Sequence, residues 1–396
     1  MRQWELTDQE RQSLCQFTER LVQTPSLSGQ EGTVASLIMT EMRHLGYDHV
    51  GMDETGNVLG RIGSGAGPTL MFDSHMDTVE VADPDAWQSD PLQATIRDGR
   101  LYGLGACDMK AGLAATVYGA ALPAKRGRPP AGTVLVACVG LEEPSEGTCT
   151  RVLFETDAVS PDWVVIAEPS NLQVVRAQRG HLEMLLTVRG KSAHSSAPEL
   201  GENAIYLASR IIFGLEILAE QLMTDSFLGP GVLAVTDIKS RAASRNAVPD
   251  WCEMFLDRRL TVGETEAMAL LEVQRVIARE GVKVEVHVIE EEVTSHTGIR
   301  LHARRASLPW VLDQRHPLVQ AMVRAARTIG LRPTLTRWPF ATEGAYTAAV
   351  AQVPTIGFGP GDPELAHCPN EYVEIEQIFA AAGAYAALSD GLVGGR

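Results

Sequence analysis

Short, mostly uninterrupted apolar runs alternate with helical stretches through both ends of this chain, and that rhythm restricts the fold more than any other feature. Thr69-Leu-Met-Phe72, Thr133 to Val139, Trp163-Val-Val-Ile166 and Pro354 to Phe358 read as strands buried on both faces. Helical stretches such as Met109 to Ala121 separate several of them. A βαβ order of this kind predicts an α/β fold, a mixed and mostly parallel sheet with helices on both faces. Two helices precede it. Leu14, Phe17, Leu21 and Val22 share one face of a helix from about Thr7 to Val22, which Pro25 stops. Ser28, with Glu31 three residues on, predicts a capping box that opens a second helix, ended by Gly46.

The middle of the chain has another texture. Gly180 to Arg189 alternates like a half-exposed strand, and Glu202 to Gln221 is a long amphipathic helix. Gly231 to Asp237, Trp251 to Arg259 and Val282 to Ile289 read as strands, and Glu264 to Glu280 as a helix. Strands with two helices on one face predict an inserted α+β domain at residues 178–293, with 1–177 and 294–396 forming the other domain.

The formal net charge of −16 argues against phosphate-backbone partners, so no nucleic acid is expected. No run approaches ~18 uninterrupted apolar residues, and Met1-Arg-Gln-Trp4 opens no apolar leader, so no membrane contact and a cytoplasmic setting are expected. The six cysteines are scattered without C-x-x-C spacing and read as buried free thiols.

Polar residues gather where the apolar runs end. His75-Met-Asp77 follows the first run, and its two polar side chains fall at the carboxyl edge of the sheet, where ligands of open α/β sheets bind. Asp77 can fix the second ring nitrogen of a metal-bound His75; a surface histidine beside a carboxylate is the competing reading. Gly103-Leu-Gly-Ala-Cys-Asp108 fails as a dinucleotide fingerprint because Asp108 stands where the third glycine belongs. Asp108 is either a helix cap or a carboxylate that bridges two cations. Glu142-Glu143 follows the strand ending at Val139, Glu168 follows Ile166, and His367 comes shortly after Phe358.

Convergence gives these residues meaning. Two imidazoles and three carboxylates suit a borderline cation such as Zn²⁺, with Co²⁺ and Mn²⁺ also compatible. With Asp108 as bridge, each of two ions has one His and one acid, with room for a bridging water as nucleophile. Glu142 stays free as general base for that water. The absence of G-x-S-x-G and of H-E-x-x-H argues against a serine hydrolase and a mononuclear zincin.

The set His75-x-Asp77, Asp108-Met-Lys110, Glu142-Glu143, Glu168 and His367-Cys-Pro-Asn-Glu371 resembles the family of zinc deacylases and exopeptidases. That family includes acetylornithine deacetylase, succinyl-diaminopimelate desuccinylase, aminoacylase and glutamate-releasing carboxypeptidases. The resemblance spans nearly the whole chain. It implies a zinc-exopeptidase-like catalytic domain and an inserted lid through which two subunits form a homodimer. It also implies a pair of divalent ions, one on His75 and Glu168, the other on Glu143 and His367. Asp108 is then the bridge, Asp77 the partner of His75, and Glu142 the base.

In the lid, Gly190-Lys-Ser-Ala-His194 resembles the segment whose histidine reaches a neighbouring subunit's site and stabilises the oxyanion. Asn246 and Arg258 match segments that hold the substrate's carboxylate, although Arg258 reads equally as an interstrand ion pair. Glu343 stands in a region that shapes the substrate pocket, where many relatives carry Asp. The run Val353 to Gly361 resembles a subgroup of hydrolases linked to selenium or purine metabolism. The expected reaction is hydrolysis of the amide of a small N-acylated amino acid or dipeptide. A ureido or carbamoyl nitrogen is the same-fold alternative, and a non-catalytic metal-binding protein the different-class one.

Overall fold

A computed structural model describes residues 3–156 and 159–395. Its central nine-stranded sheet is mixed, as expected. Thr69–His75 lies between Thr133–Val139 and Trp163–Ile166, parallel to both, and Thr355–Gly357 extends the parallel run. Val58–Ile62 and His49–Met52 add an antiparallel flank on one side. On the other, Val174–Gln178 pairs with Trp310–Val311 antiparallel and Leu335–Trp338 parallel. The parallel strands are buried along nearly their whole length, which is why they read as continuous apolar runs.

Helices cover the sheet. Ala111–Lys125 is buried from Ala111 through Pro123 and packs against Ile375–Val393; a helix apolar all round belongs inside. Gly119 lets the two approach, since a Cβ there would come 2.6 Å from the Ala382 carbonyl oxygen. Asp8–Val22 carries a capping box, made by Thr7 and Glu10. The box expected at Ser28 and Glu31 does not form: the second helix begins at Gly32 and no side chain caps it. Ser28 and Glu31 bond elsewhere, as described below.

After Gln178 the chain leaves this sheet and rejoins it at Trp310. In between, Val232–Arg241, Trp251–Leu260, Gly180–Arg189 and Val284–Val288 form an antiparallel sheet in that order. Ala306–Ser307 adds a short strand to Gly180–Arg189, so pairing with this second sheet continues beyond residue 293. Helices Ala204–Ala219 and Glu266–Glu280 bury one face of it, against Leu182, Met184, Leu256 and Leu260.

All six cysteines are free; Cys107, Cys138, Cys149 and Cys252 are buried, Cys15 is half-buried and Cys368 is exposed. Among the described residues no helix is long and apolar enough to cross a membrane.

Candidate metal centre

Parallel register brings the strand ends together. His75 pairs with Val139, and Asp73 with Ile166. His75 therefore closes its strand beside the turns that carry Glu142-Glu143 and Glu168. Asp108 reaches them from a short irregular segment, Ala106–Lys110, ahead of the helix that begins at Ala111. Its side chain caps no helix. Gly112 seats that helix on the Glu168 turn: a Cβ there would lie 2.2 Å from the Ala167 carbonyl oxygen.

His367 arrives from the far end of the sequence. A three-stranded sheet pairs Tyr372–Glu374 with Arg100–Tyr102, and this draws residues 367–371 against the Gly103–Asp108 segment. There Glu371 accepts the backbone N–H groups of Gly105, Cys107 and Asp108 at 3.0, 2.7 and 2.9 Å.

One carboxylate lies between two imidazoles. His75 Nε2 is 3.0 Å from Asp108 Oδ1, and His367 Nε2 is 3.3 Å from Asp108 Oδ2. His75 Nε2 is also 3.3 Å from Glu168 Oε1, and His367 Nε2 is 3.1 Å from Glu143 Oε2. His75, Asp108 and Glu143 present ligand atoms within 4.8 Å of one another, as do His75, Glu142 and Glu168. These acids line a cavity of about 280 Å³, with Glu146, Arg259, Phe340, Pro363 and Ala366.

The site concentrates negative charge where water is scarce. Burial, then the Asp108 charge, pushes Glu168 up to about 7, and burial raises Glu143. Burial alone would raise Asp108, but its bonds with His367 and His75 hold it below the usual carboxylate range. His367 is pushed up to about 11 by its bonds to Asp108 and then Glu143. Burial opposes charge on His75, yet Glu168, Asp108 and Asp77 together raise it well above its ordinary value. Buried carboxylates this dense need positive charge among them. The imidazole and carboxylate donors face one another as ligands of paired divalent ions would, so the residues fit such a group.

Asp77 does more than the sequence suggested. His75 Nδ1 lies 3.0 Å from the Asp77 main-chain oxygen and 3.6 Å from its carboxylate. That carboxylate accepts the N–H groups of Glu142 and Glu143 at 3.1 and 3.2 Å and the Ser28 hydroxyl at 2.7 Å. Glu31, fully buried, accepts the Leu141 N–H at 3.1 Å. The Ser28–Glu31 pattern thus buttresses the acidic turn instead of capping a helix. Lys110, also buried, donates to the Leu21 and Thr24 carbonyls at 2.9 and 2.8 Å and ties the first helix to the Asp108 segment.

The three residues expected at the substrate do not line this chain's own cavity. Arg258 is buried with Glu264 and Glu272 on the helix side of the second sheet. Strand alternation turns its neighbour Arg259 into the cavity instead. Glu343 is buried behind the cavity and does not line it; neither of its oxygens has a hydrogen-bond partner among the described residues. Burial and its two acidic neighbours Asp73 and Glu168 push it well up. Asn246 is exposed beside His194, whose neighbour Ser195 donates its N–H to the Asn246 carbonyl at 2.9 Å. His194 is exposed, lies outside its own chain's cavity and bonds Ser196 Oγ at 2.7 Å. Sequence reasoning quoted Glu371 without giving it work, took Arg258 instead of Arg259 from the segment Asp257-Arg258-Arg259, and missed Glu146 and His181. An acid three residues past Glu143 was the available signal for Glu146.

Comparison with known proteins agrees with this geometry. Residues 71–390 match the model of peptidase family M20/M25/M40. The chain is 36% identical over 377 residues to the uncharacterized protein YgeY of Escherichia coli strain K12, covering 95% of this chain and 93% of that one. It is 28% identical to acetylornithine deacetylase of Proteus mirabilis, over 91% of each chain. Among solved structures, the Bacillus subtilis protein YxeP, described as a dinuclear metal-binding peptidase of the M20 family, superposes with a TM-score of 0.72 at 16% identity, covering 98% of this chain and 99% of that one.

Proposed function

Because the chain belongs to peptidase family M20/M25/M40 and is a metal-dependent hydrolase of amide bonds, we propose that it cleaves a small N-acylated amino acid or dipeptide at a pair of divalent ions. The observation that carries this reading is Asp108, whose two oxygens face His75 and His367 at 3.0 and 3.3 Å. His75 and Glu168 would hold one ion and Glu143 and His367 the other, with Asp108 between them. The donor set suits Zn²⁺, and Co²⁺ or Mn²⁺ by the same chemistry. Bound there, the ions would polarise the scissile carbonyl and acidify a water.

The chain's own groups do the rest. Glu142 is buried, belongs to neither His–carboxylate pair, and has its backbone fixed by Asp77. Burial and then Glu343 push its carboxyl well up. In this reading Glu142 removes a proton from the attacking water and delivers it to the leaving nitrogen. Arg259 lines the same cavity as the acids. A guanidinium there suits a substrate with a free carboxylate next to its amide. The second sheet and its helices act as a lid, and His194 serves the site of a second subunit.

Metal-reconstituted protein should be screened against N-acetyl, N-succinyl and N-carbamoyl amino acids and dipeptides. At least one carboxylate-bearing member should be cleaved, and a chelator should abolish that cleavage. Glu142→Gln should keep both ions and lose roughly 10²–10⁴-fold in turnover. Protein loaded with two ions that cleaves none of these classes would refute the reading.

A further inference from the structure

The face of the second sheet that looks away from its helices carries a compact charge network. Antiparallel register sets Glu183 opposite Asp257 and His181 opposite Arg259, and alternation turns all four to this face. His181 is the hub and is 5% exposed. Its Nε2 lies 3.2 Å from Asp257 Oδ2 and 3.2 Å from Glu183 Oε1, and its Nδ1 lies 3.3 Å from Glu146 Oε1. Glu146 belongs to the other sheet's turn, three residues past Glu143, and lines the cavity with Arg259. Asp257 grips Arg259 by two parallel bonds, Nε to Oδ1 and Nη2 to Oδ2, each 3.0 Å. Arg305 stands 3.8 Å from Glu183.

His181, Glu183 and Asp257 have ligand atoms close enough to hold a metal ion. Charge decides against one. The carboxylates of Glu146, Glu183 and Asp257 face the cations of His181, Arg259 and Arg305, and Arg305 is shared with Glu291 at 3.3 Å. Burial disfavours the imidazolium, but its bonds to Asp257, Glu146 and Glu183 outweigh that and push it up to about 10. Each carboxylate of the cluster thus has a cationic partner without a metal. An imidazolium also donates from both edges of its ring, so it can bond the cavity turn and the second sheet at once.

We propose that His181 is a positioning residue: it ties Glu146 of the cavity turn to Asp257 and thereby holds the Arg259 guanidinium at the cavity mouth, where it selects substrates with a free carboxylate. This rests on the reading of Arg259 given above. Asp257 fixes the guanidinium through Nε and one Nη2 edge and leaves the Nη1 edge for a second anion.

The test uses the full-length, metal-loaded protein in the Glu142→Gln background, so that ligands are bound and not consumed. The probes are N-acetyl-L-alanine and N-acetyl-L-alaninamide, which differ in the carboxylate, followed by calorimetry. The parent should prefer the acid, Arg259→Ala should lose the preference by roughly tenfold or more, and His181→Gln should lose roughly three- to tenfold. Amide binding and the two metal equivalents should be unchanged. Glu146→Gln, which cuts the same tie from the other side, should match His181→Gln and serves if that variant folds poorly. A parent without preference, or an Arg259→Ala protein that keeps it, overturns the role of Arg259 and this inference together. Loss in Arg259→Ala alone, with His181→Gln and Glu146→Gln like the parent, overturns only the role of His181. A third metal equivalent that disappears in His181→Gln overturns the ion-pair reading.

Discussion

Glu371 accepts the backbone N–H of Asp108 at 2.9 Å, across 263 positions of sequence. Four residues before Glu371, His367 aims its Nε2 at the Asp108 carboxylate. One short segment therefore both faces the Asp108 side chain and anchors its backbone. Both Glu371 oxygens are occupied by N–H donors. Glu371→Gln would turn an NH₂ group against one of those donors, and a buried donor left unsatisfied costs about 1–3 kcal/mol. The expected result is a lower melting temperature and fewer than two metal equivalents after dialysis, read by elemental analysis. Full metal content in a folded Glu371→Gln protein would show that the loop holds Asp108 unaided.

The ion-pair hub gives a pH dependence of definite sign. In an unfolded chain an imidazole titrates near ~6.5, whereas His181 in the fold is pushed up to about 10. Between those values the folded protein keeps a proton that the unfolded chain has lost. Its stabilisation is complete below about 6.5 and is lost as pH rises toward 10. Glu146 and Asp257, both held low despite their burial, act on the acid side: their contribution is present above the ordinary carboxylate range and lost as pH falls through their depressed values. Urea unfolding at about pH 7 and about pH 9.5 should show the parent losing stability and His181→Gln losing less. Parallel losses in the two proteins would contradict the assignment.

Arg258 and Arg259 are adjacent in sequence and opposite in consequence. Arg258→Ala leaves Glu264 buried without its partner, a change that costs about 3–5 kcal/mol. Urea midpoints should fall accordingly while activity per folded molecule holds. A variant as stable as the parent would mean that Glu264 finds another donor.

Much of this was legible because strand ends are local. Apolar runs located Thr69–His75, Thr133–Val139 and Trp163–Ile166, and the polar residues just past them converge in the structure. What composition and spacing could not carry was side-chain direction. Arg258 and Arg259 differ by one position, and a period of two sends them to opposite faces. Ser28 and Glu31 have the spacing of a capping box, yet their partners lie at Asp77 and Leu141, which only tertiary packing supplies. Glu343 follows the apolar Phe340-Ala341 lining, yet it is itself fully buried and outside that lining.

The outer helical face of the second sheet carries the last consequence. Tyr206, Phe213 and Ile217 project from helix Ala204–Ala219, with Phe213 66% exposed. Beside that helix, Val232–Arg241 pairs on one side alone and leaves a free strand edge among the described residues. An apolar helix face next to an open edge is a surface that a second copy can extend. His194 precedes this helix and is absent from its own cavity, so the catalytic role proposed for it would require such a partner. The parent should scatter light as a dimer, and Phe213→Glu should be monomeric, keep both metals and lose roughly 10²-fold or more in turnover. His194→Ala and Glu142→Gln proteins, each inactive alone, should regain activity when their subunits exchange, because a mixed dimer joins an intact Glu142 to the partner's His194. A fully active monomer, or exchanged subunits with no recovery, would remove His194 from the reaction across the interface.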